Sequence, residues 1–223
     1  MLILEYYLLI VQLSSSINNM HKPSHRDPHR SRAAILEAAE DLFSRIGYEG
    51  VSLAEVAELA GVSRGLPSYF FSDKQTLYRR VMERAVAQNR RAVLDVLRTM
   101  ESNQPAQILL KLIDRYIEYL AANPRVVRLL QWEALGGLKV PTSNGTSGVP
   151  MRVFFEASTV VSERIGRKRI NSLDVDDLFL SIVSMCLYPF QVMPTRDTKL
   201  KSFIQKQKRH ISAVVVRAVG RNK

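Results

Sequence analysis

Cysteine is almost missing from this chain: Cys186 is the only one in 223 residues. No disulfide can therefore close within one chain, which fits a reducing, cytoplasmic setting. Long apolar runs are missing too. None reaches the roughly 18 residues that a membrane-spanning helix needs, so no membrane partner is expected. Alternation of apolar and polar residues over a useful length is absent, and with it the pattern of a half-buried strand. Nor does the chain hold a phosphate loop, a dinucleotide fingerprint, a Cys-x-x-Cys pair or a His-Glu-x-x-His helix. His210 is the only histidine outside residues 21–29, which leaves a histidine general base little choice of position. These gaps argue against an enzyme, and no catalytic residue, metal or cofactor is expected.

What is present is an ordinary globular composition, 46% hydrophobic and 24% charged, with a formal net charge of +11. The excess is unevenly placed. Residues 20–90 hold eleven Lys and Arg against nine Asp and Glu, whereas residues 91–223 hold twenty-one against eleven. The charge suits a polyanion partner only loosely, because the surplus lies mostly outside the segment whose motifs point to nucleic acid.

The first nineteen residues, opening MLILEYYLLIVQL, carry one charge, Glu5, and lack the basic region and small-residue cleavage site of a secretory signal. At Met20 the composition changes abruptly to HKPSHRDPHRSR, which suggests that translation starts there; otherwise the leader is an apolar extension that packs on something. His21, His25 and His29 have helical spacing. Pro23 and Pro28 interrupt a helix there, so a flexible basic arm is expected rather than a metal site. Lys22, Arg26, Arg30 and Arg32 of that arm could lie along phosphates.

From Ser31 the chain reads as helical, with a core stripe of Ile35, Ala39, Leu42, Phe43 and Ile46 closed by Gly47. Residues 52–74, SLAEVAELAGVSRGLPSYFFSDK, are the most informative stretch. Ser52 and Glu55 have capping-box spacing, so a helix starts at Leu53. Leu53, Val56, Ala57 and Ala60 form one apolar stripe, with Leu59, Val62 and Phe71 as further core candidates. Gly61 can take the left-handed conformation that ends a helix, and Ser63 can cap the next one. Two short helices joined by a tight glycine turn form the helix-turn-helix that lays its second helix in a DNA major groove. A second capping box, Ser72 to Gln75, opens a long helix through Leu77, Val81, Ala85 and Val86 into the nineties.

The remainder reads as helices with clear punctuation. Pro105 sits in the first turn of one helix, and Asn123-Pro124 stops it and starts another that ends at Gly136-Gly137. Residues 138–149 read as a loop by composition. Helices resume with Phe154, Phe155, Val160, Val161 and Ile165, then from Leu173 to about Tyr188 and from about Thr198 to Val219.

Residues 30–84 resemble the DNA-binding domain of the tetracycline-repressor (TetR) family. The likeness rests on Arg45-Ile46-Gly47-Tyr48, Val51-Ser52, the run AELAGVSRG at 57–65, and Tyr69-x-Phe71-Ser72-Asp73-Lys74-Gln75-x-Leu77, in that order. It implies a DNA-binding set of Ser52, Ser63, Arg64, Gly65, Leu66, Ser68, Tyr69 and Lys74. In that set Ser52 meets a phosphate at a helix start. Arg64, Leu66 and Ser68 face the groove, Tyr69 touches the DNA backbone, and Lys74 clamps a phosphate. Physical chemistry agrees for several of them. An arginine in the first turn of the recognition helix can give two hydrogen bonds to O6 and N7 of guanine. A lysine beside a helix N-terminus attracts phosphate twice over. Tyr69 offers an apolar ring and an outward hydroxyl. Gly65, poor inside a helix, lets the backbone approach DNA closely. Leu66 either meets a thymine methyl or packs beneath the helix, and the alternative for Arg64 is a solvated surface charge. The sequence departs from the family at Leu66-Pro67-Ser68, where many members carry Thr-Leu-Tyr. Pro67 fits only if the helix begins at or near Arg64.

Asn123-Pro124-Arg125 through Arg128-Leu129-Leu130-Gln131-Trp132-Glu133, Met185 to Phe190, and Lys208-Arg209-His210 look like ligand-domain sequences of one TetR subgroup. The resemblance implies an all-helical domain that binds a small-molecule effector and forms a homodimer. The aromatic residues there (Tyr116, Trp132, Phe154, Phe155, Tyr188, Phe190) are by type more often core than ligand contact.

The expected fold is therefore all-α. Residues 1–29 form a leader and arm, 30–84 a three-helix DNA-binding domain, and 85–223 an effector-binding and dimerisation domain reached through the long helix. The expected function is a homodimeric repressor on near-palindromic double-stranded DNA, released by an effector. The alternative is an activator or architectural protein with no effector.

Overall fold

The computed structural model describes residues 27–101, 104–136, 149–165, 169–170, 173–192 and 200–219. The leader, His21 and His25 of the arm, and nearly all of the loop expected over 138–149 lie outside the described residues, as do the side chains of Phe154 and Phe155.

Helix α1 spans Pro28–Ile46. Pro28 opens this helix rather than breaking it, because a first-turn N–H has no intrahelical acceptor to lose. Asp27 caps the turn by accepting from the His29 N–H at 2.9 Å. The helix thus starts three residues before Ser31, and His29, Arg30 and Arg32 ride on it instead of on a flexible arm. The Ser52–Glu55 box forms as the spacing predicts and opens α2, Leu53–Leu59. A short α3, Leu66–Phe71, precedes the 26-residue α4, Lys74–Thr99. Here the expected Ser72 box is corrected. Ser72 has φ 66 while ending α3, with its N–H on the Ser68 carbonyl at 2.8 Å, so it cannot hold the extended N-cap conformation. Asp73, with φ −143 and ψ 171, takes that place and accepts from Thr76 N–H at 2.6 Å.

Next come α5, Pro105–Ala122, and α6, Pro124–Gly136, divided at Asn123 as the sequence predicts. After α7, Val149–Ile165, a two-residue antiparallel pair joins β1, Arg169–Ile170, to β2, Leu173–Asp174. The final elements are α8, Val175–Val192, and α9, Leu200–Val219. The β pair is too short to leave a periodic signal, and the fold is otherwise all-α among the described residues.

Two apolar clusters organise the chain. One gathers Ile35, Phe43, Val56, Phe71, Leu77 and Val81, and also takes Val126 and Leu129 from α6. The other joins Leu109, Ile113 and Leu120 of α5 to Val161, Ile182, Cys186, Ile211 and Val215. Each fully buried aliphatic side chain contributes on the order of 1.5–3 kcal/mol. Helix α4 belongs to both clusters, with Leu77 to Ala85 in the first and Val93 to Leu97 in the second. Ile46 and Leu59, expected in the core, are 44% and 51% exposed. Each is the last residue of its helix, where the stripe runs on past the packed region. Helix α8 is long and apolar enough to cross a membrane by length and composition alone. Its Leu178, Phe179, Ile182, Cys186 and Phe190 nevertheless sit in the second cluster, where burial pushes the Cys186 thiol up to about 12.

Candidate nucleic-acid interface

The helix-turn-helix is built from local rules. Gly61 adopts φ 63 and its N–H reaches the Glu58 carbonyl at 3.0 Å, closing α2. The chain then makes a turn in which Leu66 N–H donates to the Ser63 carbonyl at 3.0 Å. Sequence predicts Ser63 as the cap of the second helix, and the structure corrects this: α3 begins at Leu66, with Gly65 before it and no side-chain cap. Pro67 is the reason. Capped at Ser63, the helix would need a Pro67 N–H for its first full turn, and proline has none. Starting at Leu66 puts Pro67 in the first turn, where that loss is harmless. The first α-type bond of α3 then runs from Tyr69 N–H to the Gly65 carbonyl at 3.0 Å. Arg64 consequently lies in the turn leading into α3, not on its first helical turn.

This start sets which side chains face outward. Pro67 and Phe71 are buried, and Leu66 is half-buried against the first cluster. Ser63, Arg64, Gly65 and Ser68 are exposed, and Tyr69 is 80% exposed. Ser52 is exposed at the start of α2, but its hydroxyl already donates to Glu55 Oε2 at 2.7 Å and accepts from Glu55 N–H at 3.2 Å. The hydroxyl's bond, followed by one from the Ser52 backbone N–H to the same Oε2 at 2.8 Å, holds the Glu55 carboxyl below the usual carboxylate range. Lys74 is half-buried. Its ammonium donates to the Tyr48 carbonyl at 3.1 Å and lies 4.4 Å from the Tyr48 ring centre. It is thus anchored to the turn after α1 while keeping further protons for an anion.

Gly65 has an unusual position. A Cβ built there meets no atom of the described residues within 4 Å, and the backbone, at φ −80 and ψ −18, is ordinary right-handed geometry. Nothing among the described residues calls for glycine there. Gly65→Ala should leave stability unchanged or raise it by about 0.4–1 kcal/mol. It should weaken DNA binding at least about tenfold, near 1.4 kcal/mol, if the DNA approaches this backbone closely. Thermal unfolding and duplex titration read the two effects separately. Undiminished DNA affinity would remove Gly65 from the interface.

The long-range contacts that hold this reader together and seat it on α6 have no signal in the local pattern. Tyr78 donates its hydroxyl to Glu133 Oε2 at 2.7 Å, and burial followed by Glu133 itself raises the phenol far above its ordinary value. Trp132 of α6 lies against Gly47 and donates Nε1–H to the Ser44 carbonyl at 3.3 Å. Arg125 reaches Glu37 and Asp41 of α1 at 2.5 and 3.2 Å. Arg84 of α4 reaches Glu40 and Glu37 at 2.5 and 2.7 Å, and the Arg84 and Arg125 bonds hold the Glu37 carboxyl below its ordinary value. These partners stand 44 to 88 positions apart, beyond any helical spacing rule.

Comparison with known proteins agrees with this geometry. Residues 35–81 match the model for bacterial regulatory proteins of the tetR family. The chain is 29% identical over 166 residues to the HTH-type transcriptional repressor SCO4008 of Streptomyces coelicolor, covering 72% of this chain and 78% of that protein. It is 37% identical over 114 residues to the HTH-type transcriptional regulator RutR of Escherichia coli, covering 48% of this chain and 52% of RutR. The match thus spans about half of RutR. In fold it is similar to a transcriptional regulator from Rhodococcus sp. Rha1, with TM-score 0.63 and 18% identity over 87% of this chain and 96% of that one. The TetR family regulator PfmR from Thermus thermophilus is also similar, with TM-score 0.60 and 17% identity over 83% and 98%.

Proposed function

This chain belongs to the tetR family of bacterial regulatory proteins, a DNA-binding transcriptional regulator and not an enzyme, and from that premise we propose that it is a homodimeric, effector-released repressor. Residues 30–84 serve as the reader and 85–223 as the effector-binding and dimerisation part. The observation that carries the reading is the division of α3. Pro67 and Phe71 anchor it, while Ser68 and Tyr69, with Arg64 and Gly65 of the turn before it, make up its exposed edge. Two such edges, held about 34–36 Å apart by a two-fold axis, suit successive major grooves of a near-palindromic operator.

Exposed Leu180, Tyr188 and Val192 on α8, with Val214 and Val216 on the adjoining α9, support a second copy as the dimer partner. An effector between the C-terminal helices acts by binding better to a dimer whose readers are wrongly spaced. Because α4 belongs to both apolar clusters, it transmits that change. In this reading Ser52 and Lys74 meet phosphates, Ser63 and Leu66 flank the contact edge, and Arg64 reads a base.

The test is a titration of the purified protein against the DNA flanking its own gene, followed by a small-molecule screen. The expected result is two chains per site and a compound that both releases the DNA and raises the unfolding temperature. At one hundred times its dissociation constant such a compound stabilises by about 2.7 kcal/mol. DNA binding by a monomer, or binding that no stabilising compound disturbs, would favour the effector-independent reading.

A further inference from the structure

The arginines near the reader fall into two groups. Arg45 pairs with Asp41, Arg80 with Glu83, and Arg84 with Glu37 and Glu40. Arg32 has no carboxylate partner among the described residues, yet it is held in place. Its guanidinium carbon lies 5.0 Å from the centre of the Phe71 ring. Phe71 is the last residue of α3 and only 3% exposed, so it is a fixed platform. It continues through Phe70, at 6.5 Å between ring centres, to Tyr69 at 5.2 Å, the outermost ring of the reader. Resting on a ring face consumes no N–H of the guanidinium, and no described residue accepts a hydrogen bond from it.

Groove dimensions say what such an arginine meets. A helix with its side chains is ~10–12 Å across, and the major groove is about 12 Å wide. An outward side chain near the axis of α3 can therefore reach base edges. One that lies beside α3, carried by a different helix, faces the wall of the groove, which is phosphate. We propose that Arg32 is a phosphodiester clamp of the DNA interface, set by Phe71 at the end of the recognition helix and lying outside the helix-turn-helix itself. The inference rests on α3 entering the groove. Its held guanidinium has little freedom left to lose on gripping an oxygen, so it fixes the depth and register of α3 without reading sequence.

The experiment titrates the full chain against a mixed-sequence duplex of about 30 base pairs over about 50 to 200 mM salt. Arg32→Ala is expected to weaken binding several-fold and to reduce the slope of log affinity against log salt by about 0.9 per lost phosphate contact. Arg32→Lys keeps most of the slope. Arg45→Ala, which removes a cation already paired, leaves slope and affinity near the wild type. The unfolding temperature of Arg32→Ala stays within a degree or two of the wild type, since the side chain is exposed. An unchanged slope in Arg32→Ala overturns the proposal. So does an equal fall in Arg45→Ala, which would mean that bulk charge alone is at work. If the unaltered protein fails to bind the duplex even at the lowest salt, the DNA-reading function falls, and the clamp falls with it.

Discussion

Gly47→Ala is expected to cost about 2–6 kcal/mol of stability, from two separable causes. Gly47 ends α1 with φ 74 and ψ 178, a region that only glycine occupies freely. A side chain held there costs about 1–3 kcal/mol. An added Cβ would also stand 2.9, 3.0 and 3.2 Å from Cε3, Cδ2 and Cζ3 of Trp132. The indole cannot easily yield, because its Nε1–H is bonded to the Ser44 carbonyl and its helix contributes Val126 and Leu129 to the first cluster. Overpacking of this kind costs a further 1–3 kcal/mol or so. Against a total stability of about 5–15 kcal/mol that is a large loss. Urea unfolding in two backgrounds separates the causes. In Trp132→Ala the further change Gly47→Ala should cost only the backbone share, about 1–3 kcal/mol. Equal costs in both backgrounds would show that the indole is no obstacle. A cost below about 0.5 kcal/mol would place Gly47 among ordinary surface positions.

Arg64→Ala is expected to lose about 1–3 kcal/mol of operator binding and to relax base preference at one position of each half-site. Arg64 is exposed in the turn that enters α3 and has no acidic partner among the described residues, so the wild-type protein gives up little to present it. Bidentate bonding to guanine O6 and N7 would make the loss sequence-dependent, large on the operator and small on mixed DNA. That separates Arg64 from Arg32, whose loss should weigh equally on all duplexes. Folding stability should change by no more than about 0.5 kcal/mol, as for an ordinary surface site. Operator preference that stays intact in Arg64→Ala would strike this residue from the base-reading set.

Much of the fold was legible because local chemistry dictates it. The Ser52–Glu55 box, the positive φ of Gly61 and Gly47, Pro105 in a first turn and the break at Asn123-Pro124 are each decided within a few residues. Where two local signals competed, pattern alone chose wrongly. Ser72 and Asp73 both suit a cap, and the left-handed conformation that ends α3 at Ser72 hands the cap to Asp73. Ser63 looked like a cap until Pro67 denied it the matching N–H. At Arg30 and Arg32 the same residue type misled in reverse, because Pro28 in a first turn starts a helix that Pro28 in an interior would break. The seat of the reader on α6 was not legible at all. Nothing near Gly47 announces Trp132, and nothing near Tyr78 announces Glu133, since those contacts exist only once the chain has folded.

Selection of bound sequences from a pool of random duplexes tests the central claim most directly. A homodimer reading DNA through α3 should enrich an inverted repeat whose half-site centres lie one helical turn apart, about 34–36 Å, or a multiple of it, with two chains on each duplex. Retention of the pool with no enriched sequence, or of a single unrepeated site by one chain, would contradict it.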